Sequence, residues 1–212
     1  GNMKKLLSLL IVILLTAEAT AQTPVKEQQA RQMMEQIGHA AQAMKTMQCT
    51  FKQTKTLRMM KSKMVSKGRM CYTQPSQLRW EYTSPYQYIF IVNGSKVYMK
   101  SGRQTNVVDA NKNKVFRQIT QIMMSSVTGK SLTDRQNFKT EMLVSGTNWI
   151  ARLIPLKKEL KQIFTQLVIT FDTKRMIATR VEMFEREGDT TTIELLNPTK
   201  NVTVSQNEYK IN

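Results

Sequence analysis

The sequence predicts a mainly antiparallel β protein of the α+β kind, in which one large sheet has a wet face and a dry face and two amphipathic helices cover the dry one. Three observations predict it. Beyond Met47 most of the chain shows a hydrophobic period of two, the mark of half-buried strands. Two stretches break that rule with the three- and four-residue steps of amphipathic helices. Many strands alternate apolar with charged residues, as in Arg180-Val181-Glu182-Met183-Phe184-Glu185, so one side of the sheet is dry and has to be covered. No linker, repeat or low-complexity tract interrupts residues 22–212, which read as one domain.

Residues 1–21 stand apart from that domain. Lys4 and Lys5 form a basic start, Leu6 to Leu15 an apolar run, and Ala19-Thr20-Ala21 a small-x-small cleavage site, the order of a secretory signal peptide. The apolar run is roughly ten residues, about half of the ~20 that a membrane-spanning helix needs. Cleavage is expected between Ala21 and Gln22, and Gly1 and Asn2 read as a cloning scar. No cysteine lies near the cleavage site to take a lipid, so a soluble mature chain is expected.

The first helix is marked by Ala30, Met33, Met34, Ile37, Ala41, Met44 and Met47, with Pro24 expected in its first turn. Strands follow at Gln48 to Met60 and Met64 to Thr73, around a Lys61-Ser62-Lys63 turn, then at Gln77 to Thr83 and Tyr86 to Val92. Asn93-Gly94 predicts a type I′ hairpin into Lys96 to Lys100, because both central residues of that turn take positive φ. A short strand near Asn106 to Val108 precedes the second helix, marked by Val115, Ile119, Ile122, Met123 and Val127 and ending near Gly129. Strands return at Phe138 to Val144, Trp149 to Ile154, Leu167 to Phe171, Ala178 to Glu185 and Thr190 to Leu196, with a short helix within Pro155 to Ile163.

The chain carries 32 basic and 15 acidic residues, a net +17; without Lys4, Lys5 and Glu18 of the leader the balance is +16. Such a field attracts anionic headgroups, acidic proteins or nucleic acid, and export makes nucleic acid the least suited of these. The cations are also scattered as on a solvated sheet face, so solubility alone accounts for them equally well. Cys49 and Cys71 are the only thiols. Strand parity turns Cys49 inward with Phe51 and Cys71 outward between the inward Met70 and Tyr72, which speaks against a disulfide. Their separation does not suggest a metal site.

Materials for catalysis are sparse. His39 is the single histidine, among polar helix neighbours, and there is no His-Glu-x-x-His, Gly-x-Ser-x-Gly, phosphate-binding glycine loop or aspartate-rich calcium loop. No cofactor and no metal is expected, and the chain is not expected to be an enzyme.

One stretch resembles a known family. Ser66-Lys67-Gly68-Arg69-Met70-Cys71-Tyr72-Thr73-Gln74-Pro75-Ser76-Gln77-Leu78-Arg79-Trp80-Glu81-Tyr82, then Ser84-Pro85 and Val92-Asn93-Gly94-Ser95-Lys96-Val97-Tyr98, is similar to the periplasmic lipoprotein carrier family LolA, as is Phe51-x-Gln53. The resemblance implies an unclosed half β-barrel of about ten to eleven strands with helices over its concave apolar face. It implies a soluble carrier in the periplasm of a Gram-negative bacterium that shields the acyl chains of lipoproteins on their way to the outer membrane. An inner-membrane releasing complex and an outer-membrane acceptor are its implied partners, and a monomer is expected. Phe51, Met70, Tyr72, Leu78, Trp80 and Tyr82 are expected to line the groove. Met33, Met34, Ile37, Met44, Ile119, Ile122 and Met123 are expected on the lid helices. The family usually has an arginine before the proline of the strand motif, held to latch the lid, where this chain has Gln74; a looser latch is expected, since a neutral amide bonds about half as strongly. Related alternatives are a LolA-like carrier of a non-protein lipid, for instance an anionic one, and a sensory module that binds a partner protein in the same groove. An anchored acceptor is disfavoured by the missing cysteine and the short Thr83 to Tyr86 connection.

Overall fold

The structure, a computed structural model, describes residues 21–211. The expected signal peptide therefore lies outside the described residues, apart from Ala21. Twelve strands form one sheet. They are β1 (Thr23–Pro24), β2 (Thr46–Leu57), β3 (Ser62–Thr73), β4 (Gln77–Ser84), β5 (Tyr88–Asn93), β6 (Lys96–Ser101), β7 (Gln104–Asp109), β8 (Phe138–Ser145), β9 (Asn148–Pro155), β10 (Phe164–Asp172), β11 (Ile177–Glu185) and β12 (Thr190–Lys200). The helices are α1 (Glu27–Ala43), α2 (Lys114–Thr128) and the one-turn α3 (Lys158–Lys161). Every neighbouring pair is antiparallel in the order β1-β8-β9-β10-β11-β12-β2-β3-β4-β5-β6-β7, and the sheet does not close on itself.

Local chemistry shifts several element ends from where periodicity alone puts them. The β2–β3 hairpin pairs Leu57 with Ser62, so its loop is Arg58 to Lys61, with Lys61 at φ 48°, and it shares only Lys61 with the expected Lys61-Ser62-Lys63 turn. Asn93 pairs with Lys96 as the last residue of β5, leaving Gly94-Ser95 as the two-residue loop. Gly94 alone takes positive φ there (62°), which fits the preference of type II′ turns for glycine at the first central position rather than a type I′ turn. Pro24 is not in the first turn of α1. It sits opposite Leu143 in β1, at the sheet edge where a residue without an N–H is tolerated, and the Val25 N–H donates to the Met142 carbonyl (3.1 Å).

The concave face holds the main core. Helix α1 buries Met33, Ile37 and Ala41 and ends on the buried Met44. Helix α2 starts where the Asn113 side chain accepts from the Phe116 N–H (3.2 Å), a capping bond for one of the helix's otherwise unpaired first donors. It ends at Gly129 with φ 79°. A Cβ at 129 would lie 2.6 Å from Ile37 Cγ2, so glycine is required there by conformation and because α1 packs directly onto the end of α2.

The convex face is not uniformly wet. Segment 201–211 runs back across β3 to β6 and buries Tyr209 completely, in a small cluster with Cys71 and Ile91. Cys71 is thus outward in parity yet buried, because this strap covers it. The Tyr209 hydroxyl shares a hydrogen bond with Thr73 Oγ1 (2.6 Å), and Arg79 donates to the Glu208 carbonyl (3.0 Å). Glu81 takes the guanidinium groups of Arg79 (2.8 Å) and Arg69 (2.9 Å), and Arg69 reaches on to the Glu208 carboxylate (2.9 Å). Both cysteines are free and lie on opposite faces of adjacent strands. Burial, with Cys71 nearby, pushes the Cys49 thiol up to about 12, and burial also raises that of Cys71, so neither is poised as a thiolate.

Tyr209→Ala should remove a fully buried ring and cost about 3 kcal/mol in denaturant unfolding. Alkylation of native Cys71 should become fast in that variant while Cys49 stays protected. Burial by itself would raise the Glu81 carboxyl, but hydrogen bonds and charge from Arg79 and Arg69 outweigh it and hold the group below its usual value. A depressed folded-state pKa contributes stability that is present above the unfolded value of about 4.3 and is lost as pH falls through the folded one. The protection factors of the strap amides, exchange rates corrected for the intrinsic pH dependence, should therefore fall below about pH 4 in the wild type, and Glu81→Gln should flatten that dependence.

Candidate functional site

The sheet is wider than the two helices that cover it, and an apolar cavity of about 320 Å³ remains beneath α2. That volume lies at the lower end of the ~300–1,000 Å³ typical of small-molecule sites. Strands β4 and β5 supply one wall with Leu78, Trp80, Tyr82, Tyr88 and Phe90. The opposite wall comes from Leu167 of β10, Val181 and Met183 of β11, and Thr191, Ile193 and Leu195 of β12. Helix α2 roofs the space with Ile122, Met123, Ser126 and Val127. No charged side chain lines it. The Ser126 hydroxyl donates to the Ile122 carbonyl (2.8 Å), so the roof presents no free hydroxyl proton at that position.

The strands β2 and β3 lie between these walls but do not reach the cavity, and the reason is a packing layer. Phe51 of β2 lies across Gly68 of β3: a Cβ on Gly68 would come within 2.5 Å of the Phe51 ring and 1.9 Å of the Glu81 carbonyl oxygen. Trp80 then stacks on Phe51 with ring centroids 4.1 Å apart and planes 19° apart. Tyr82 meets the same ring edge-on at 5.3 Å. Phe51 is left 1% exposed, and Trp80 becomes the floor. A register shift between Lys67 and Gly68 lets β4 pass this crowded point. Near the outer end of the cavity Tyr82, Tyr86 and Tyr88 form a ring cluster, with the Tyr82 hydroxyl donating to Gln53 Oε1 (2.8 Å). Burial pushes the Tyr82 phenol up, which keeps it a neutral donor.

Of the six expected groove residues, Leu78, Trp80 and Tyr82 face the cavity together. Phe51, Met70 and Tyr72 do not: they share the inward parity but are sealed in the core below it. On the helices Ile122 and Met123 line the roof. Met33, Ile37 and Met44 fill the closed core under α1, and Met34 borders a separate groove between α1 and β8. Ile119 is 37% exposed, because α2 turns Phe116, Thr120, Met123 and Val127 inward and so places residue 119 on the outer flank. Tyr88, Phe90, Leu167, Val181, Met183, Ile193 and Leu195 complete the lining and are absent from the sequence-based expectation. The alternation around Val181 and Met183 marks them as dry-face residues, but the strand order that brings β11 and β12 opposite β4 and β5 is not written in local periodicity.

Gln74 sits in the β3–β4 turn, and its backbone N–H donates to the Lys45 carbonyl (2.9 Å), just past the end of α1. Its side chain makes no hydrogen bond to a helix among the described residues. The expected side-chain latch is therefore replaced by a main-chain tie, which any residue with an N–H supplies.

The family model described as outer membrane lipoprotein carrier protein LolA matches residues 42–212. The chain belongs to the LolA family. A search of the curated proteins finds no match. Among solved structures, a LolA-like fold recurs at very low identity. The MucA/MucB complex of Pseudomonas aeruginosa superposes with a TM-score of 0.54 at 7% identity, covering 87% of this chain and 61% of that one. This chain thus spans about three fifths of that relative's length. A conserved protein of Thermus thermophilus gives 0.53 at 9% identity over 87% and 94% of the two chains. The lipoprotein LppX of Mycobacterium tuberculosis gives 0.50 at 11% over 85% and 99%. Within the described residues of this LolA-family chain, no helix is long and apolar enough to cross a membrane, and no three metal-binding side chains converge.

Gln74→Ala should leave hydrogen exchange of α1 unchanged, because the tie to Lys45 runs through the backbone. Slower exchange in Gln74→Arg would show that a charged side chain adds a latch the native residue lacks.

Proposed function

We propose that the protein is a soluble carrier that shields an acyl chain of a lipoprotein in the cavity beneath α2 and ferries it across the periplasm toward the outer membrane. The observation that carries this reading is the lining: a pocket walled by aliphatic and aromatic side chains, without a charge or a metal-binding group, suits burial of hydrocarbon and little else. Each buried methylene is worth about 0.8 kcal/mol, so a long acyl chain gains on the order of ten kcal/mol by leaving water. Membership of the LolA family supports a lipid or lipoprotein as cargo. Binding is by burial, with no bond made or broken. The leader at residues 3–21 would deliver the chain to the periplasm, where a releasing complex at the inner membrane loads it and an acceptor at the outer membrane unloads it.

A second reading seats a segment of a partner protein in the same cavity. It is favoured by the likeness in fold to MucB, whose structure was solved together with MucA.

Native mass spectrometry with lipid extraction, on protein purified from its own periplasm, separates these readings. A bound acylated lipoprotein is the expected result; a free lipid would change the cargo, a bound peptide would favour the second reading, and an empty cavity would count against all of them. Ile193→Trp fills the cavity with protein and should reduce acyl retention about tenfold or more, with Tm unchanged or raised.

A further inference from the structure

We propose that the β2–β3 hairpin is a docking tip for the surface of an anionic lipid bilayer. Met59 and Met60 at its apex are 90% and 72% exposed, and Met64 and Val65 beside them are 51% and 44% exposed. A run of exposed apolar side chains at one loop is unusual on a soluble chain, where such residues normally occur singly. The same hairpin carries Arg58 and Lys61 in its loop and Lys63 and Lys67 on β3, all exposed. None of the four forms an ion pair among the described residues. Carboxylates do lie nearby, on the turn between β11 and β12, but they are partly engaged: Asp189 accepts from the Arg58 N–H (3.0 Å) and Glu185 pairs with Lys55 (3.3 Å), which leaves Glu187 beside Arg186. Apolar side chains that enter the headgroup layer, flanked by cations that meet anionic lipid, are the chemistry of a membrane-surface anchor.

On its β4 side the hairpin is free, while β2 stays paired to β12 as far as Thr56 with Thr190, so only the loop Arg58 to Lys61 extends past both flanking strands. Pairing between β3 and β4 begins only at Lys67 with Ser84, so residues 62–66 of β3 have no neighbour on that side. One end of the cavity lining lies toward the same end of the sheet. Tyr82 pairs with Gly68 and Thr191 with Lys55, within a few residues of Met64, and Tyr86, 56% exposed, lies beside them. A bilayer met by the tip would face the tyrosine cluster, residues suited to the headgroup level. Docking of this kind does not depend on what fills the cavity.

Sedimentation with phosphatidylcholine vesicles, with and without phosphatidylglycerol, tests the proposal on the mature chain. Binding is expected with phosphatidylglycerol and not without it. Met59→Ser with Met60→Ser should weaken it about tenfold at unchanged Tm, as should Lys61→Glu with Lys63→Glu. Because the whole chain is basic, a second readout separates insertion from general attraction: a reporter Met59→Trp should shift its emission to the blue on phosphatidylglycerol vesicles. Binding that survives both pairs of substitutions, or binding without that spectral shift, would overturn the proposal. So would failure to bind anionic vesicles, which would leave the tip to an acidic protein partner.

Discussion

A sheet of twelve strands with one dry face has more surface to cover than two helices can seal, and the rest of the structure follows from how that shortfall is shared. Helix α1 packs closely, sending Met33, Ile37 and Met44 into the core and meeting α2 at a glycine that leaves no room for a side chain. Helix α2 is fixed at that junction and stands off from the strands along its middle. The space it leaves is lined on all sides by residues that would otherwise form a core. Site and core are one apolar layer, divided by where helix contact stops.

The two faces of the sheet solve their covering problems differently. Burial on the concave side is dominated by aromatic stacking, with Phe51 over Gly68 and Trp80 over Phe51. On the convex side the strap of residues 201–211 is held by a buried tyrosine and by Arg69, Arg79, Glu81 and Glu208. These pairs are partly shielded from solvent and share partners, which makes them more effective than isolated surface ion pairs. The same strands, β3 and β4, carry both arrangements, one on each face. The aromatic floor of the cavity is thereby backed by a charged network on its reverse.

Much of this is legible in the sequence, and the misses have definite causes. Period-two alternation locates the long strands, and parity turns Leu78, Trp80 and Tyr82 toward the dry side. Parity says which face a residue takes but not which layer of that face, so it groups Phe51, Met70 and Tyr72 with the lining although a second aromatic layer covers them. For α2 the apolar residues fill more than one stripe, and which stripe faces inward is decided by the sheet beneath; Ile119 loses that choice to Phe116 and Thr120. The strap leaves almost no signal, because one tyrosine in a polar stretch does not announce a buried contact with strands more than a hundred residues earlier. Two turns shift for the same reason, one by a single residue and the β2–β3 loop by two to three: the hairpin loop is set by which pair closes the ladder, as Asn93 with Lys96 and Leu57 with Ser62 do, and not by the most turn-like residues.

The open order of the strands has a mechanical meaning as well. In a closed barrel the strand number and stagger fix the circumference, and no filling can change it. Here β1 and β7 end the sheet without pairing to each other, so no ring of hydrogen bonds sets a girth. The radius of curvature is set by what lies against the inner face. A bulkier layer against that face would be met by uncurling the sheet slightly, at the cost of bending rather than of broken ladder bonds.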